Sequence, residues 1–367
     1  MHNYKTALIG CGRISPFHIA ALLNNSGCMA LAAACDPVIE RAEKQADNYR
    51  KTIPDADIRC YTDYRKMLEE LRPDIVTIAT ESGKHPAISI DCLNAGAHVI
   101  CEKPMALSTK DADAMILAAK NAGKKLAVCF QNRFNPPVQK LRTAVDAGRF
   151  GRLLNGMIQI RWNRNAAYYE EASWRGTWEQ DGGALMNQCI HGIDLLQWFM
   201  GEDAIRVQAQ TRQFLNPIQA EDFGAAIVEF KSGAVGIIEG SVCVQPKNLS
   251  ETLSVFGEKG TAVIGGVSVN KIETWRLSDS DQYGDTENNV LNPDEKDPPT
   301  VYGFGHSALF NNFVNAIEEN REPLVSGKTG RNALELILAI YKSQKTGKAV
   351  ELPCDFSTLE MEGYFNT

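Results

Sequence analysis

Three constellations in this chain carry residue types that could do chemistry. The first is Val99-Ile100-Cys101-Glu102-Lys103-Pro104-Met105, which sets one ionisable amine, Lys103, directly after an apolar run. A residue before proline is pushed toward extended backbone, so Lys103 is expected to be held rigidly at a strand end. Lysines are ordinarily surface residues. Here the uncharged run Ala97–Cys101 fits a strand buried on both faces of a parallel sheet, and open α/β sheets bind ligands at their strand ends.

The second constellation is Gly10-Cys11-Gly12-Arg13-Ile14-Ser15, between an apolar strand and a helical pattern. Strand, glycine turn and helix in that order let backbone N–H groups and a helix N-terminus cradle a pyrophosphate. Gly10, Gly12, Arg13 and Ile14 are the contacts expected there. A second strand, Ala30–Cys35, ends in Asp36, whose carboxylate can accept both hydroxyls of an adenosine ribose and would repel a 2′-phosphate, favouring NAD over NADP. Asp36 also precedes Pro37 and can act as a turn or cap residue, and the two roles can coexist. Thr80, Ser82 and His85 follow the fourth strand and are expected on the nicotinamide side, although His85-Pro86 also reads as a helix start.

The third lies further on, where helical periodicity from Ala184 sets Asn187, His191 and Asp194 at i, i+4 and i+7 on one face. Upstream runs a segment of about twenty residues rich in Trp, Tyr and Arg, too long for a plain connector. Arg161, Arg164 and Arg175 are its candidate anion-binding cations.

Elements must position these groups. Helices are expected at Val38–Tyr49, Asp63–Leu71, Ala87–Ala95 and Lys110–Ala122, alternating with strands at Thr6–Ile9, Ala30–Cys35, Arg59–Tyr61, Asp74–Thr80, His98–Cys101 and Lys125–Cys129. Alternation of this kind gives a doubly wound parallel sheet, a Rossmann domain. After residue 150 the runs Leu153–Arg161, Arg206–Phe214, Phe223–Phe230, Ala234–Val244, Glu251–Phe256, Thr261–Ile264 and Lys271–Trp275 are β-rich and joined by turns, predicting an open, largely antiparallel sheet. The expected fold class is α/β, with an NAD-binding Rossmann domain over 1–130. An α+β domain for substrate binding and oligomerisation follows over 131–367. The acidic stretch Asp279–Pro299 reads as a solvated excursion, His306 as a helix start, and Tyr302 as a substrate contact. Helices are expected at His306–Glu319 and Thr329–Ser343.

At 367 residues and 44% hydrophobic the chain suits two cores. A net charge of −7 with a pI near 5.5 argues against a nucleic-acid or membrane-surface binder. Ten cysteines without a CxxC pair point to a reducing compartment, and no apolar run is long enough to span a membrane, so the cytoplasm is expected. No metal site is expected. Alternating apolar residues such as Val228, Phe230, Ile238, Val242 and Val244 predict an apolar sheet face that would pair copies of the chain as a homodimer or homotetramer.

The glycine fingerprint, Glu102-Lys103-Pro104 after the fifth strand, and His191 followed by Asp194 together resemble the glucose-fructose oxidoreductase, inositol dehydrogenase and rhizopine-catabolism (Gfo/Idh/MocA) superfamily over essentially the whole chain. Within it, the stretches Trp162–Tyr169, Trp174–His191, Pro246–Gly266 and Val301–His306 are similar to the UDP-N-acetyl-2-amino-2-deoxyglucuronate 3-dehydrogenases of bacterial O-antigen biosynthesis. The resemblance implies that Lys103 and His191 are catalytic and that Asn187, Arg161, Arg164, Tyr169, Gln188 and Tyr302 meet substrate. It also implies that Glu102, Lys103 and Gln131 join the cofactor contacts. Asn187 stands where many inositol-dehydrogenase-like members carry aspartate, and an amide can orient a hydroxyl but not act as a base near neutral pH.

The implied reaction is NAD-dependent oxidation of the C3 hydroxyl of a UDP-linked sugar, UDP-N-acetylglucosaminuronate, to the 3-keto sugar. His191 starts near about 6.5 and Lys103 near about 10.4, which makes histidine the easier base and lysine the alkoxide stabiliser. Burial of Lys103 would swap those roles, and the sequence leaves both open. Other readings are a dehydrogenase of another free or nucleotide-linked sugar or cyclitol, an NAD-retaining glycosidase, and a non-enzymatic NAD and ligand sensor.

Overall fold

A computed structural model of the protein describes residues 3–201, 203–278, 303 and 305–365. Tyr302 and the acidic stretch Asp279–Pro299 lie outside the described residues. The chain forms two compact units, one of Met1–Cys129 with His306–Arg331, the other of Phe130–Gly305 with Asn332–Thr367.

The first unit is built in the expected alternation: β1 (Tyr4–Ile9), α1 (Ser15–Asn24), β2 (Met29–Cys35), α2 (Ile39–Arg50), β3 (Arg59–Tyr61), α3 (Tyr64–Leu71), β4 (Ile75–Ile78), α4 (His85–Asn94), β5 (His98–Cys101), α5 (Thr109–Ala122) and β6 (Leu126–Val128). Its sheet runs β3-β2-β1-β4-β5-β6 and is parallel throughout. The largely apolar run Ile75–Ile78 is buried along its whole length, as a strand covered on both faces must be. Strand order reverses between β1 and β4, so the ends of these two strands flank the crevice where such sheets take ligands.

The second unit opens with α6 (Pro136–Asp146), a helix the sequence reading did not identify, then β7 (Leu153–Arg161) and α7 (Ala166–Glu170). A π-helical segment at Leu185–Cys189 leads into α8 (Ile190–Met200). There follow β8 (Ala204–Arg212), β9 (Phe223–Phe230), β10 (Val235–Ser241), β11 (Ser250–Gly257), β12 (Gly260–Gly265) and β13 (Lys271–Leu277). The chain closes with α9 (His306–Glu318), α10 (Gly327–Thr346) and β14 (Val350–Glu351). The eight-stranded sheet runs β13-β12-β11-β7-β10-β9-β8-β14. It is antiparallel except for the β7–β10 pair.

Two expectations need correction. The helix α9 belongs to the first unit, not to the second: Asn24 Nδ2 donates to Ser307 Oγ at 2.8 Å, and the His18 and Phe310 rings meet edge-on at 5.6 Å. The exposed face of the large sheet also has the opposite parity from the one expected. Val228, Phe230, Ile238 and Val242 are buried, while Ile227, Val235 and Ile237 face outward. Alternation fixes two faces but does not say which one is covered, and here the small residues Gly236 and Gly240 let Leu196, Leu185 and Cys189 approach the buried side.

Candidate active site

In the first unit the turn after β1 is shaped by Gly10. Its φ is +89°, and a Cβ there would lie 2.6 Å from the Ala79 carbonyl, so no other residue fits. Gly12 differs: a Cβ placed on it would meet nothing within 4 Å, which leaves open the room a pyrophosphate needs beside the turn. Asp36 is 6% exposed; its Oδ2 accepts from Cys11 N and its Oδ1 from Val38 N, each at 2.9 Å. The carboxylate therefore braces the glycine turn, and its remaining lone pairs suffice for a ribose hydroxyl as well. Ser15 Oγ closes the turn on Gly12 O at 2.6 Å, Ile14 caps α1, and Arg13 is exposed beside it. These residues fit a dinucleotide.

Next to β5, Glu102 is buried and Lys103 is half-buried, and the Lys103–Pro104 peptide is cis. Glu102 Oε2 accepts from the Lys103 backbone N–H at 3.2 Å, while Oε1 lies 2.9 Å from His18 Nε2 and 3.8 Å from His306 Nε2. His18 Nδ1 lies 2.5 Å from Thr77 Oγ1. Burial alone would raise the Glu102 carboxyl, but the hydrogen bond from His18 and the nearby His306 ring outweigh it and hold the group well below the usual carboxylate range. Donor atoms of His18, Glu102 and Cys129 lie within 4.8 Å of one another. Burial, followed by the adjacent Glu102 charge, pushes the Cys129 thiol far up, so a protonated thiol and a histidine share the carboxylate. A cation would require the thiolate.

The structure brings Glu102 into this cluster but gives it structural neighbours that the sequence reading missed. His18 carries no signal in the sequence beyond its place in the first helix, and His306 is also the helix start its sequence position predicts. Thr80 lies two residues past the end of β4, buried Ser82 begins a 3₁₀ turn, and His85 starts α4. His85 presents no free edge to a ligand: Nδ1 lies 2.8 Å from Pro104 O and Nε2 3.1 Å from Thr80 O.

In the second unit, polar side chains converge on the π segment. Asn187 Nδ2 donates to Asp181 Oδ1, and Asp181 Oδ2 accepts from Gly176 N at 2.8 Å. Gln188 Nε2 donates to Asn187 Oδ1 at 2.6 Å and to Tyr168 Oη at 3.0 Å. Arg164 donates to Gln188 Oε1 at 2.6 Å and to Asn248 Oδ1 at 3.3 Å, its guanidinium 5.2 Å from the centre of the Trp162 ring. Arg175 lies over the Tyr168 ring at 4.1 Å and pairs with Glu171. The segment is held from behind by Glu221, whose Oε1 accepts from Leu185 N and Tyr341 Oη; burial pushes its carboxyl up to about 8.

The π segment departs from the regular helix expected from Ala184, and such insertions recur at functional sites. It changes the phase between Asn187 and the residues after Ile190. Asp194 leaves the expected polar face altogether, paired with Arg133 in a buried bidentate bridge. His191 is buried, edge-on to Phe130 at 5.9 Å. Arg161 is also corrected: it lies on the outward face of the sheet, bound twice by Glu239 at 2.8 and 2.7 Å. Tyr168, not Tyr169, enters the hydrogen-bonded network; Tyr169 stacks edge-on against it. Gln131 is buried at the start of a 3₁₀ turn, its carbonyl packed where Gly305 leaves room.

Residues 4–130 match the model of the oxidoreductase family NAD-binding Rossmann fold, GFO_IDH_MocA. Residues 142–352 match that of its C-terminal alpha/beta domain. The chain belongs to the Gfo/Idh/MocA oxidoreductase family, is an NAD-dependent oxidoreductase, and takes NAD as its cofactor. Among solved structures it is similar to the WlbA dehydrogenase from Bordetella pertussis in complex with NADH and UDP-GlcNAcA, with 34% identity, coverage of 97% of this chain and 99% of that one, and a TM-score of 0.85. The WlbA dehydrogenase from Chromobacterium violaceum, in complex with the same two ligands, is 36% identical with 97% and 98% coverage and a TM-score of 0.85. Among curated relatives, the myo-inositol 2-dehydrogenase of Thermotoga maritima is 26% identical over 95% of this chain and 98% of that protein. Among the described residues no helix is long and apolar enough to cross a membrane.

Proposed function

We propose that this protein oxidises the C3 hydroxyl of a UDP-linked sugar, UDP-N-acetylglucosaminuronate, to the 3-keto sugar. The observation that carries the reading is the 34% and 36% identity, over 97% of the chain, to two dehydrogenases that were crystallised with UDP-GlcNAcA. NAD bound at the glycine turn supplies the hydride acceptor. The chain's own residues orient the sugar and handle the proton.

Asn187 and Gln188, fixed by Asp181, Tyr168 and Arg164, suit the orientation of sugar hydroxyls. Arg164 and Arg175, each set against aromatic rings, suit an anionic substrate in an otherwise acidic protein. His191, whose ordinary pKa lies nearer neutrality, is assigned as the base and Lys103 as the cation opposing the developing alkoxide. The outward sheet face with Ile227, Val235 and Ile237 is assigned to pairing with a second copy.

The test is NADH formation, followed spectrophotometrically, with NAD and a panel of UDP-sugars, free sugars and cyclitols. The reading requires UDP-N-acetylglucosaminuronate to give the highest kcat/KM. A preference for myo-inositol, the substrate class of the 26% identical relatives, replaces it with cyclitol oxidation.

A further inference from the structure

The parallel ladder between β4 and β5 ends where Glu102 N donates to Ile78 O at 2.9 Å. Beyond that bond the two chains part, one through Thr80 into the 3₁₀ turn, the other through Lys103 and Pro104. The imidazole of His85, 1% exposed, stands between them, with Nδ1 2.8 Å from Pro104 O and Nε2 3.1 Å from Thr80 O. The charged groups facing the ring are Glu102 and Lys103.

We propose that His85 is a positioning residue for Lys103: its N–H ties the carbonyl of Pro104 and so fixes the segment that carries the Lys103 ammonium. This rests on the reading that Lys103 is catalytic. Burial, ahead of every other influence, holds the His85 ring below the usual histidine range, so near neutral pH it carries one proton. Two carbonyls face two ring nitrogens, and a carbonyl cannot donate. The shorter contact assigns the proton to Nδ1 and the Pro104 carbonyl, and the Thr80 carbonyl gains its own N–H only when the ring is protonated. A strand-end lysine has a long flexible stem, and a backbone tie one residue away narrows where that stem can begin. Displacement of a reacting group by about 1 Å is enough to cost roughly 10²-fold in rate.

The test compares His85→Phe, which keeps a ring without donors, with His85→Gln, which restores an amide donor. Lys103 is titrated by competitive acetylation and peptide mass spectrometry, without substrate or NAD, and NAD affinity is measured separately. In His85→Phe the Lys103 profile is expected to move by about one pH unit. On the best substrate its kcat should fall roughly 10–100-fold with KM for NAD changed far less. In His85→Gln the profile should return most of the way to that of the parent protein. A Lys103 profile in folded, NAD-binding His85→Phe that superimposes on the parent's overturns the proposal, as does a His85→Gln profile displaced as far as that of the Phe variant. Should the Phe variant fail to fold, His85→Asn, whose shorter amide cannot span the distance, is held to the same standard. Because the titration uses no substrate, failure of the UDP-sugar reading leaves this result standing on its own.

Discussion

Asp194 receives Arg133 through two parallel hydrogen bonds, Nε to Oδ2 and a terminal nitrogen to Oδ1, each 2.8 Å, with both side chains 2% exposed. The guanidinium also lies 4.6 Å from the Trp198 ring centre. Removing one partner strands a charge in an apolar interior, so Arg133→Met is expected to cost about 3–5 kcal/mol in urea unfolding. Adding Asp194→Leu should recover most of that loss. A double variant no more stable than the single one would show that the pair contributes net stability beyond its own desolvation.

The two glycines of the first turn separate stability from cofactor affinity. Gly10→Ala forces a side chain into positive φ and against the Ala79 backbone, costing about 1–2 kcal/mol for the conformation alone. Gly12→Ala places its Cβ more than 4 Å from the other described residues apart from its chain neighbours and should leave the unfolding midpoint nearly unchanged while weakening NAD binding at least about tenfold, or ~1.4 kcal/mol. Calorimetric titration with NAD beside a denaturant curve for each variant decides this.

Glu251 on β11 is completely buried, and among the described residues neither of its side-chain oxygens has a hydrogen-bond partner. Burial pushes its carboxyl up to about 8, from an ordinary value of 4.5. The folded state thus keeps a proton that the unfolded state releases first. Stability from this group is complete below the unfolded pKa and declines as pH rises toward the folded one, by at most about 1.4 kcal/mol per pH unit. Urea midpoints measured at about pH 5 and about pH 8 should show a smaller loss for Glu251→Gln than for the parent. Parallel pH dependences for the two proteins would contradict the assignment.

Turnover tests the family roles. Lys103→Met should retain NAD binding and lose about 10²–10³ in kcat. His191→Asn should lose about 10²–10⁴. The double variant should fall short of the product of the two losses, as groups serving one proton do. Near-normal kcat in both single variants would move the chemistry elsewhere.

Assembly through the open sheet predicts that Ile227→Glu together with Ile237→Glu lowers the mass measured by light scattering at micromolar concentration. Glu239, already committed to Arg161 on that face, should be neutral to this change. A parent protein that is monomeric under those conditions removes the proposal.

Most of the first unit could be read from the chain because its signals are local. Runs such as Ile75–Ile78 and His98–Cys101 have strand length and are bounded by helical patterns, and Gly10 and Asp36 sit at fixed offsets from them. The expected elements of the second sheet were also found within a few residues. What escaped depends on tertiary context. Arg161 and Arg164 are three residues apart, yet one faces outward to Glu239 and the other inward to Gln188, a distinction set by the strand's exit from the sheet. The π turn at Leu185–Cys189 has no periodicity of its own, and it is fixed from outside by Glu221 gripping Leu185 N. His18, Glu102 and His306 come from three distant points in sequence, and only the packing of α9 on α1 joins them.

That packing also governs how the protein can be made. The helix beginning at His306 covers the aromatic face of α1, meeting Phe17 and His18, yet the ribosome delivers it only after residues 130–305 have emerged. An N-terminal domain usually completes itself while the rest of the chain is still being synthesised. This one must wait for translation of nearly the whole second sheet with its α1 face uncovered. A chain stopped at residue 130 is therefore not a miniature cofactor-binding protein but an unfinished one, with an apolar surface open to chaperones and to other nascent chains.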